Sequence, residues 1–214
     1  MNKDTQEIEK RSFSVAVDLE RRDEGSSRKI SGYAAVFDSW SNPLVWFREK
    51  IDARAFDNAD FSRCILCFNH DTDKILARTS SGTLQLEIDE KGLRFTAEMP
   101  NTTTGNDVLE LIRRGDISQC SFAFHVREDS WNYLSDVDPK ALDERTITDI
   151  DYVYDVSPVV HPAYDDTSVA ARSLEQRKEE HQKEELAHED DFTGEADSRK
   201  REFELLTLKY VSSR

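Results

Sequence analysis

The chain has 214 residues, of which 37% are hydrophobic and 34% are charged, and its formal net charge is −15. This length suffices for one domain with a hydrophobic core plus an extension, and the polar composition predicts that part of the chain lies outside that core. The negative charge argues against a nucleic-acid partner, because phosphates would repel it. Three cysteines, no leader-like segment and no long apolar run predict a protein of a reducing compartment without a membrane anchor.

Short runs of alternating hydrophobicity, separated by turn residues, follow one another through most of the chain. Residues 1–11 are charged and are predicted to form a flexible N-terminus. Strands are predicted over residues 12–19, 29–37, 63–69, 75–79, 82–88, 93–99, 117–127 and 145–160. A loop is predicted over residues 38–49 and a short helix over residues 51–59.

The most regular helical pattern covers residues 102–114. Thr103 or Thr104 is predicted as its N-cap, and Gly115 follows its last residue, as expected for a left-handed C-cap. Many short strands with one or two helices predict a mainly β protein of the α+β class with flanking helices. We expect these strands to form a closed or nearly closed barrel.

The composition changes after Arg172. Residues 173–201 are almost all charged or polar, which predicts a solvated helix or a disordered linker. Residues 202–211 regain apolar side chains, and they are a short docking element, a removable tail or a frayed terminal helix. The predicted organisation is a flexible segment over 1–11, a folded domain over 12–172 and a charged extension over 173–214.

Two polar residues lie in otherwise apolar predicted strands. Ser121 is flanked by Cys120 and Phe122, and His70 ends the strand-like run that begins at Arg63. Either residue alone is explained most simply by a structural role. An imidazole, however, is the side chain best suited to take a proton from a hydroxyl near neutral pH. The two residues are therefore a candidate nucleophile and a candidate base.

A third group could orient the histidine, and the last predicted strand offers several. Asp149, Asp151 and Asp155 share one face if that strand is regular, and His161 follows the strand. Asp151 is preferred because it lies centrally between apolar neighbours, and the other three residues remain alternatives. The resulting chain order of His, Ser and acid matches neither the trypsin-like, the subtilisin-like nor the α/β-hydrolase order.

The cysteines offer rival interpretations. Cys64 and Cys67 form a C-x-x-C pair, but no second ligand pair follows at zinc spacing, so neither a metal site nor a cofactor is predicted. Cys120 adjoins Ser121 and could itself be a nucleophile. Strand alternation places Cys120 on the opposite face from Ser121, which favours core packing instead.

Six short segments form an ordered series along the chain. They read ISGYAAVF at 30–37, FNHD at 68–71, ARTSSGTL at 77–84, RGDIS at 114–118, SFAF at 121–124, and DVSPV at 155–159 with PAY at 162–164. This series resembles the prohead (capsid maturation) serine protease family of tailed bacteriophages, distant relatives of the herpesvirus assemblins. The chain departs from that family at Gln119, Cys120 and Ala123, where Gly, Met and Gly are usual, and at His161, where an aromatic residue is common.

The resemblance implies an assemblin-like closed β-barrel with the Ser and the His on adjacent strands. It also implies a serine endopeptidase in which Ser121 is the nucleophile and His70 is the base. Arg78 follows the His strand and is a candidate for oxyanion or substrate binding.

The expected partners are the major capsid protein or its scaffold segment, a scaffold protein, and a second copy of the protease as dimer partner or substrate. Neither nucleic acid nor a membrane is expected as a partner. The expected location is the interior of the immature capsid in the host cytoplasm. The alternative is a non-catalytic internal scaffold or assembly factor, in which Ser121 and His70 are packing residues.

Overall fold

The computed structural model describes residues 8–13, 18–19, 28–44 and 46–161, together with Lys178 and Lys183. These residues form strands β1 Glu9–Phe13, β2 Asp18–Leu19, β3 Lys29–Val36, β4 Phe47–Ile51, β5 Ile65–Phe68, β6 Asp71–Arg78, β7 Leu84–Ile88, β8 Gly92–Glu98, β9 Gln119–Asn132 and β10 Asp143–Val159. The α-helix α1 covers Thr103–Arg114, and short 3₁₀ helices cover Thr79–Ser81 and Leu134–Asp136. The predicted mainly β class with a flanking helix is confirmed.

The strands form two sheets. The larger sheet has the order β1-β9-β10-β5-β6, and β4 pairs in parallel with the first part of β10. The smaller sheet has the order β2-β3-β8-β7. Buried apolar side chains from both sheets and from α1 form one core cluster, with Phe56, Phe95, Phe122 and Phe124 among its largest buried members.

The expected closed barrel is not found among the described residues. A closed barrel needs an unbroken circle of hydrogen-bonded strands. Here β1 and β6 are the edges of one sheet, and β2 and β7 are the edges of the other, with no ladder between the sheets in the described part of the chain. The 3₁₀ turn Thr79–Ser81 separates β6 from β7, where the chain passes from one sheet to the other.

The helix α1 follows the predicted pattern closely. The side-chain oxygen of Thr102 accepts a hydrogen bond from the Gly105 N–H at 3.1 Å, so the N-cap is Thr102 rather than Thr103 or Thr104. Gly115 ends the helix with a φ of 82°, as expected for a left-handed cap. Helix α1 buries Val108, Leu109 and Ile112 against the core.

The predicted helix over residues 51–59 is wrong. Ile51 ends β4, and the residues after it form successive tight turns in which Ala55 N–H donates to Asp52 O and Asp57 N–H to Arg54 O, each at 3.0 Å. The Asp52 carboxylate also accepts a hydrogen bond from the Arg54 N–H at 2.9 Å. An aspartate that bonds the backbone two residues ahead favours a turn over a helix.

Two further differences concern the strands. The predicted loop over residues 38–49 contains the start of β4, in which Phe47 is buried. The predicted first strand covered residues 12–19, and its described part is divided between β1 and β2. Strand β1 begins at Glu9, three residues before the predicted start. As a consequence, β4 and β1 bring charged side chains into the interior.

Contacts along the chain divide it into units Met1–Val169 and Ala170–Arg214. Apart from Lys178 and Lys183, the second unit lies outside the described residues, so the predicted boundary at 172 and the predicted charged extension stay predictions. Within the part of the chain that the structure describes, no helix is both long and apolar enough to cross a membrane.

Candidate active site

His70 lies in a two-residue turn between β5 and β6. Phe68 pairs with Asp71, and the two residues between them, Asn69 and His70, have φ values of 53° and 57°. Two positive φ angles are characteristic of a type I′ hairpin turn, whose second central residue is usually glycine. A β-carbon in this region costs about 1–2 kcal/mol, so the surrounding structure must hold His70 in place.

Strand β10 supplies the contacts that hold this turn. The His70 N–H donates to Ser157 Oγ at 3.2 Å, and the Asn69 N–H donates to the Pro158 carbonyl at 3.1 Å. In return, the Val160 N–H donates to Asn69 Oδ1 at 3.0 Å. The backbone of the turn and the side chain of Asn69 are thus attached to the end of β10.

The His70 ring joins two other buried side chains. Its Nε2 lies 2.7 Å from Ser121 Oγ, and its Nδ1 lies 2.7 Å from Asp155 Oδ1. Ser121 comes from β9 and Asp155 from β10, and β10 separates β9 from β5 in the sheet. The Ser and His strands are therefore not adjacent, contrary to expectation. We call Ser121, His70 and Asp155 the triad.

A second hydroxyl supports the carboxylate of the triad. Ser157 is fully buried, and its Oγ donates to Asp155 Oδ1 at 2.7 Å. Because the single Ser157 proton is used there, the Cys67 thiol 3.2 Å away is the donor in its contact with Ser157 Oγ. Ser157 therefore connects the Asp155 side chain to the His70 backbone.

The geometry of the triad permits proton transfer. Nε2 can accept the hydroxyl proton of Ser121, while the Asp155 carboxylate holds the Nδ1–H and stabilises the imidazolium that forms. The side chains of His70 and Asp155 are 8% and 9% exposed, so water screens their interaction little. A hydroxyl, an imidazole and a carboxylate in this arrangement are the groups of a serine hydrolase.

Asp151, the preferred third residue of the sequence analysis, does not contact His70. Its carboxylate pairs with Arg127, as does that of Asp149, and it also lies 3.7 Å from His125 Nδ1. Asp155 occupies the position against His70 instead.

Register shifts in β10 explain this difference. The pairing of β10 with β9 is irregular at four points between Ile147 and Asp155. Each extra residue in a strand changes which face the following side chains occupy. Hence Asp149, Asp151 and Asp155 do not share one face, and Asp155 is buried while Asp151 is only half-buried.

Two other predicted residues lie apart from these contacts. His161 follows β10 and is exposed. Arg78 ends β6 with an exposed side chain and lines a cavity of about 450 Å³ together with Arg28, Met99 and Pro100. Neither contributes a side-chain hydrogen bond to the triad in the described residues, and their proposed roles stay predictions.

Cys120 is buried next to Ser121, and burial raises the pKa of its thiol well above the ordinary value. Cys64 and Cys67 are also buried free thiols, and burial raises the pKa of Cys67 to about 12. A thiol is nucleophilic only as the thiolate, so this environment makes Cys120 a packing residue rather than a nucleophile.

Sequence reasoning missed a cluster of buried charges near the triad. It consists of Glu9, Arg11, Glu49, Asp129 and Arg145, which we call the ion cluster. Arg145 lies 2.7 Å from Glu9, 3.2 Å from Glu49 and 2.8 Å from Asp129, and Arg11 pairs with Glu9 and Glu49. Only Arg145 falls in a predicted strand. Glu9 and Arg11 lie in the predicted flexible N-terminus and Glu49 lies in a predicted loop, so no strand pattern indicated the cluster.

Comparison with known proteins identifies the family of the chain. A model of the caudovirus prohead serine protease family matches residues 16–183, which is more than half of the chain. The chain therefore belongs to the caudovirus prohead serine protease family, and the predicted family resemblance is confirmed. This membership supports a role in capsid maturation. No curated protein and no solved structure gives a significant match.

Proposed function

We propose that this protein is a serine endopeptidase that cleaves the major capsid protein or its scaffold segment, and scaffold protein, inside the immature capsid. The observation that carries the proposal is the triad: Nε2 of His70 is 2.7 Å from Ser121 Oγ, and its Nδ1 is 2.7 Å from Asp155 Oδ1. Family membership supplies the expected substrate class and location. The protease itself is a further expected substrate.

In the proposed reaction, Ser121 Oγ attacks the scissile carbonyl carbon while His70 Nε2 takes the hydroxyl proton. The imidazolium then gives that proton to the leaving amine, and the amide C–N bond breaks. Water attacks the resulting acyl-enzyme with His70 again as the base, and Ser121 is released with its proton. Asp155 holds the imidazole in the orientation that leaves Nε2 facing Ser121.

The position of β10 supports these roles. One strand carries Asp155 and Ser157 and also accepts the hydrogen bond of the Asn69 N–H. The base and its orienting carboxylate are thus fixed by the same segment. Fixed geometry of this kind provides much of the rate enhancement in enzymes, because the groups need no reorganisation during the reaction.

The test is cleavage of the capsid protein by purified full-length chain. Ser121→Ala and His70→Ala should each reduce the rate by several orders of magnitude while the protein stays folded, because members of a triad act as a unit. Ser118→Ala is the matched control, since Ser118 is exposed just before β9. Discrete fragments that persist in Ser121→Ala would favour the alternative, a non-catalytic scaffold contaminated by another protease.

A further inference from the structure

Strand β1 covers the candidate nucleophile. It pairs antiparallel with β9, with Ser12 opposite Ser121 and Arg11 opposite Phe122. Ser121 is 0% exposed as a result of its position between this strand and the core, so a substrate cannot reach it while β1 is in place. The family match begins at residue 16, so β1 lies outside the matched segment.

The backbone of β1 places a carbonyl at the reacting hydroxyl. Ser121 Oγ donates to the Arg11 carbonyl oxygen at 2.9 Å. A hydroxyl has one proton, so this hydrogen bond and transfer of the same proton to His70 exclude each other. An extended peptide that pairs with the Ser strand and brings a carbonyl to the Ser is also how a peptide substrate would bind by strand addition.

Two charged side chains of β1 enter a site that is also formed by charged residues of other strands. Arg11 lies against Glu49 of β4, and Glu9 lies against Arg145 of β10. Glu49 and Arg145 are 4% and 2% exposed, and Arg145 also binds Asp129. If β1 were absent, one arginine and two carboxylates would line this site, with a formal charge of −1.

The pKa values agree with a site shaped for these charges. Burial alone would raise the pKa of the Glu9 carboxyl, but Arg145 and Arg11 beside it lower the pKa to about 2. Burial opposes the charge of Arg11, yet Glu49 and Glu9 raise its pKa. Glu9 and Arg11 are therefore both charged within the site.

We propose that β1 occupies the substrate-binding strand site of the protease in a substrate-like way. The site accepts an extended strand with a basic residue at the position whose carbonyl faces Ser121, bound by Glu49. Two residues earlier, the strand has an acidic residue that Arg145 binds. An external substrate is cut only after β1 leaves. This inference deepens the proposed function and rests on it.

The first measurement is the rate at which a fluorophosphonate labels Ser121 in the full-length chain. Arg11→Glu places a carboxylate beside Glu49 and Glu9, and like charges should displace β1. We expect labelling at least about tenfold faster than in the wild type. Lys10→Glu makes the same charge change on the same strand but at a half-buried residue outside the ion cluster, and its rate should stay within about twofold.

The second measurement uses the wild-type chain, so it does not depend on the folding of a variant. One peptide has the sequence of residues 8–13, Ile-Glu-Lys-Arg-Ser-Phe, and the other has the Glu and the Arg exchanged. We expect kcat/KM for cleavage of the first peptide to exceed that of the second at least about tenfold. The cut should follow the Arg in the first peptide.

The outcomes separate this inference from the proposed function. If the wild type cleaves capsid protein but Arg11→Glu is labelled no faster than Lys10→Glu, β1 does not block the site. If the two peptides are cleaved at equal rates, the ion cluster does not select the substrate. Either of these two results overturns the inference and leaves the proposed function standing. If neither the wild type nor Arg11→Glu cleaves capsid protein or is labelled, the proposed function fails and the inference fails with it.

Discussion

The triad and the ion cluster are both buried on the larger sheet, and both depend on β9 and β10, but they are built from different interactions. The triad is a chain of hydrogen bonds with one carboxylate, and Ser157 and the turn at Asn69 fix its geometry. The ion cluster holds five charged side chains at short distances, two of which come from β1.

This difference separates stability from chemistry. Five buried charges lose their hydration on folding, and removal of one leaves the others uncompensated. The triad has little charge to compensate, but its reaction depends on sub-ångström placement. Substitutions in the ion cluster should therefore change the free energy of unfolding, and substitutions in the triad should change turnover. The two sides of this comparison can be tested separately.

The largest effect is expected for Asp155→Asn. The amide cannot stabilise the imidazolium and favours the wrong tautomer of His70, so turnover of capsid protein should fall by about 10⁴-fold with the fold intact. Asp151→Asn is the matched control, because Asp151 pairs with Arg127 at the surface. Its turnover should stay within about twofold of the wild type. A reversed pattern would restore Asp151 as the third residue.

The next effect is expected for Arg145→Met, measured by urea denaturation. Loss of this arginine leaves buried negative charge from Glu9, Glu49 and Asp129, and should lower the free energy of unfolding by about 3–5 kcal/mol. The control is Arg48→Met, which removes a pair with Glu144 at a side chain that is 41% exposed. That change should cost less than about 1 kcal/mol. Equal losses for the two variants would contradict a special role of the ion cluster.

Acid should weaken the ion cluster through Glu9. Its pKa is about 2 in the folded chain, below its ordinary value of 4.5. The resulting stabilisation is complete above about pH 4.5 and is lost as the pH falls towards 2, with a magnitude on the order of 3 kcal/mol. Urea denaturation of the wild type and of Glu9→Gln at pH 5 and pH 3 measures this contribution. A pH dependence that Glu9→Gln retains in full would assign it to other groups.

The smallest effect is expected for Ser157→Ala, because Ser157 acts through Asp155 and the turn rather than on the substrate. Loss of a hydrogen bond to a carboxylate costs about 1.5–3 kcal/mol, which corresponds to about a 10- to 100-fold lower kcat when it acts on the transition state. Ser157→Thr keeps the hydroxyl and should restore most of the activity. If both variants lose the same activity, the effect comes from packing and not from the hydrogen bond.

Much of this structure was readable from local patterns. His70 and Ser121 were identifiable because a polar residue in an apolar strand needs an explanation, and helix α1 was identifiable from its periodicity and Gly115. Asp155 was predicted only as an alternative to Asp151, because bulges in β10 change which face the following side chains occupy. The sequence pattern of one strand does not show where such bulges occur.

The ion cluster could not be predicted for a different reason. Glu49 lies between Arg48 and Lys50 in the sequence, and Arg145 follows Glu144, so both resemble surface charges. Their burial depends on partners in β1, β9 and β10 that are distant in the chain. Strand β1 could not be predicted for the same reason, because its pairing with β9 is a long-range contact.

The central claim is that Ser121 is the nucleophile and that His70 activates it. The most direct measurement is peptide mapping by mass spectrometry after the full-length chain reacts with a fluorophosphonate. We predict a single modified residue, Ser121, and a labelling rate that falls at least about 10³-fold in His70→Ala. Modification of another residue, or equal labelling of the wild type and His70→Ala, would contradict the claim.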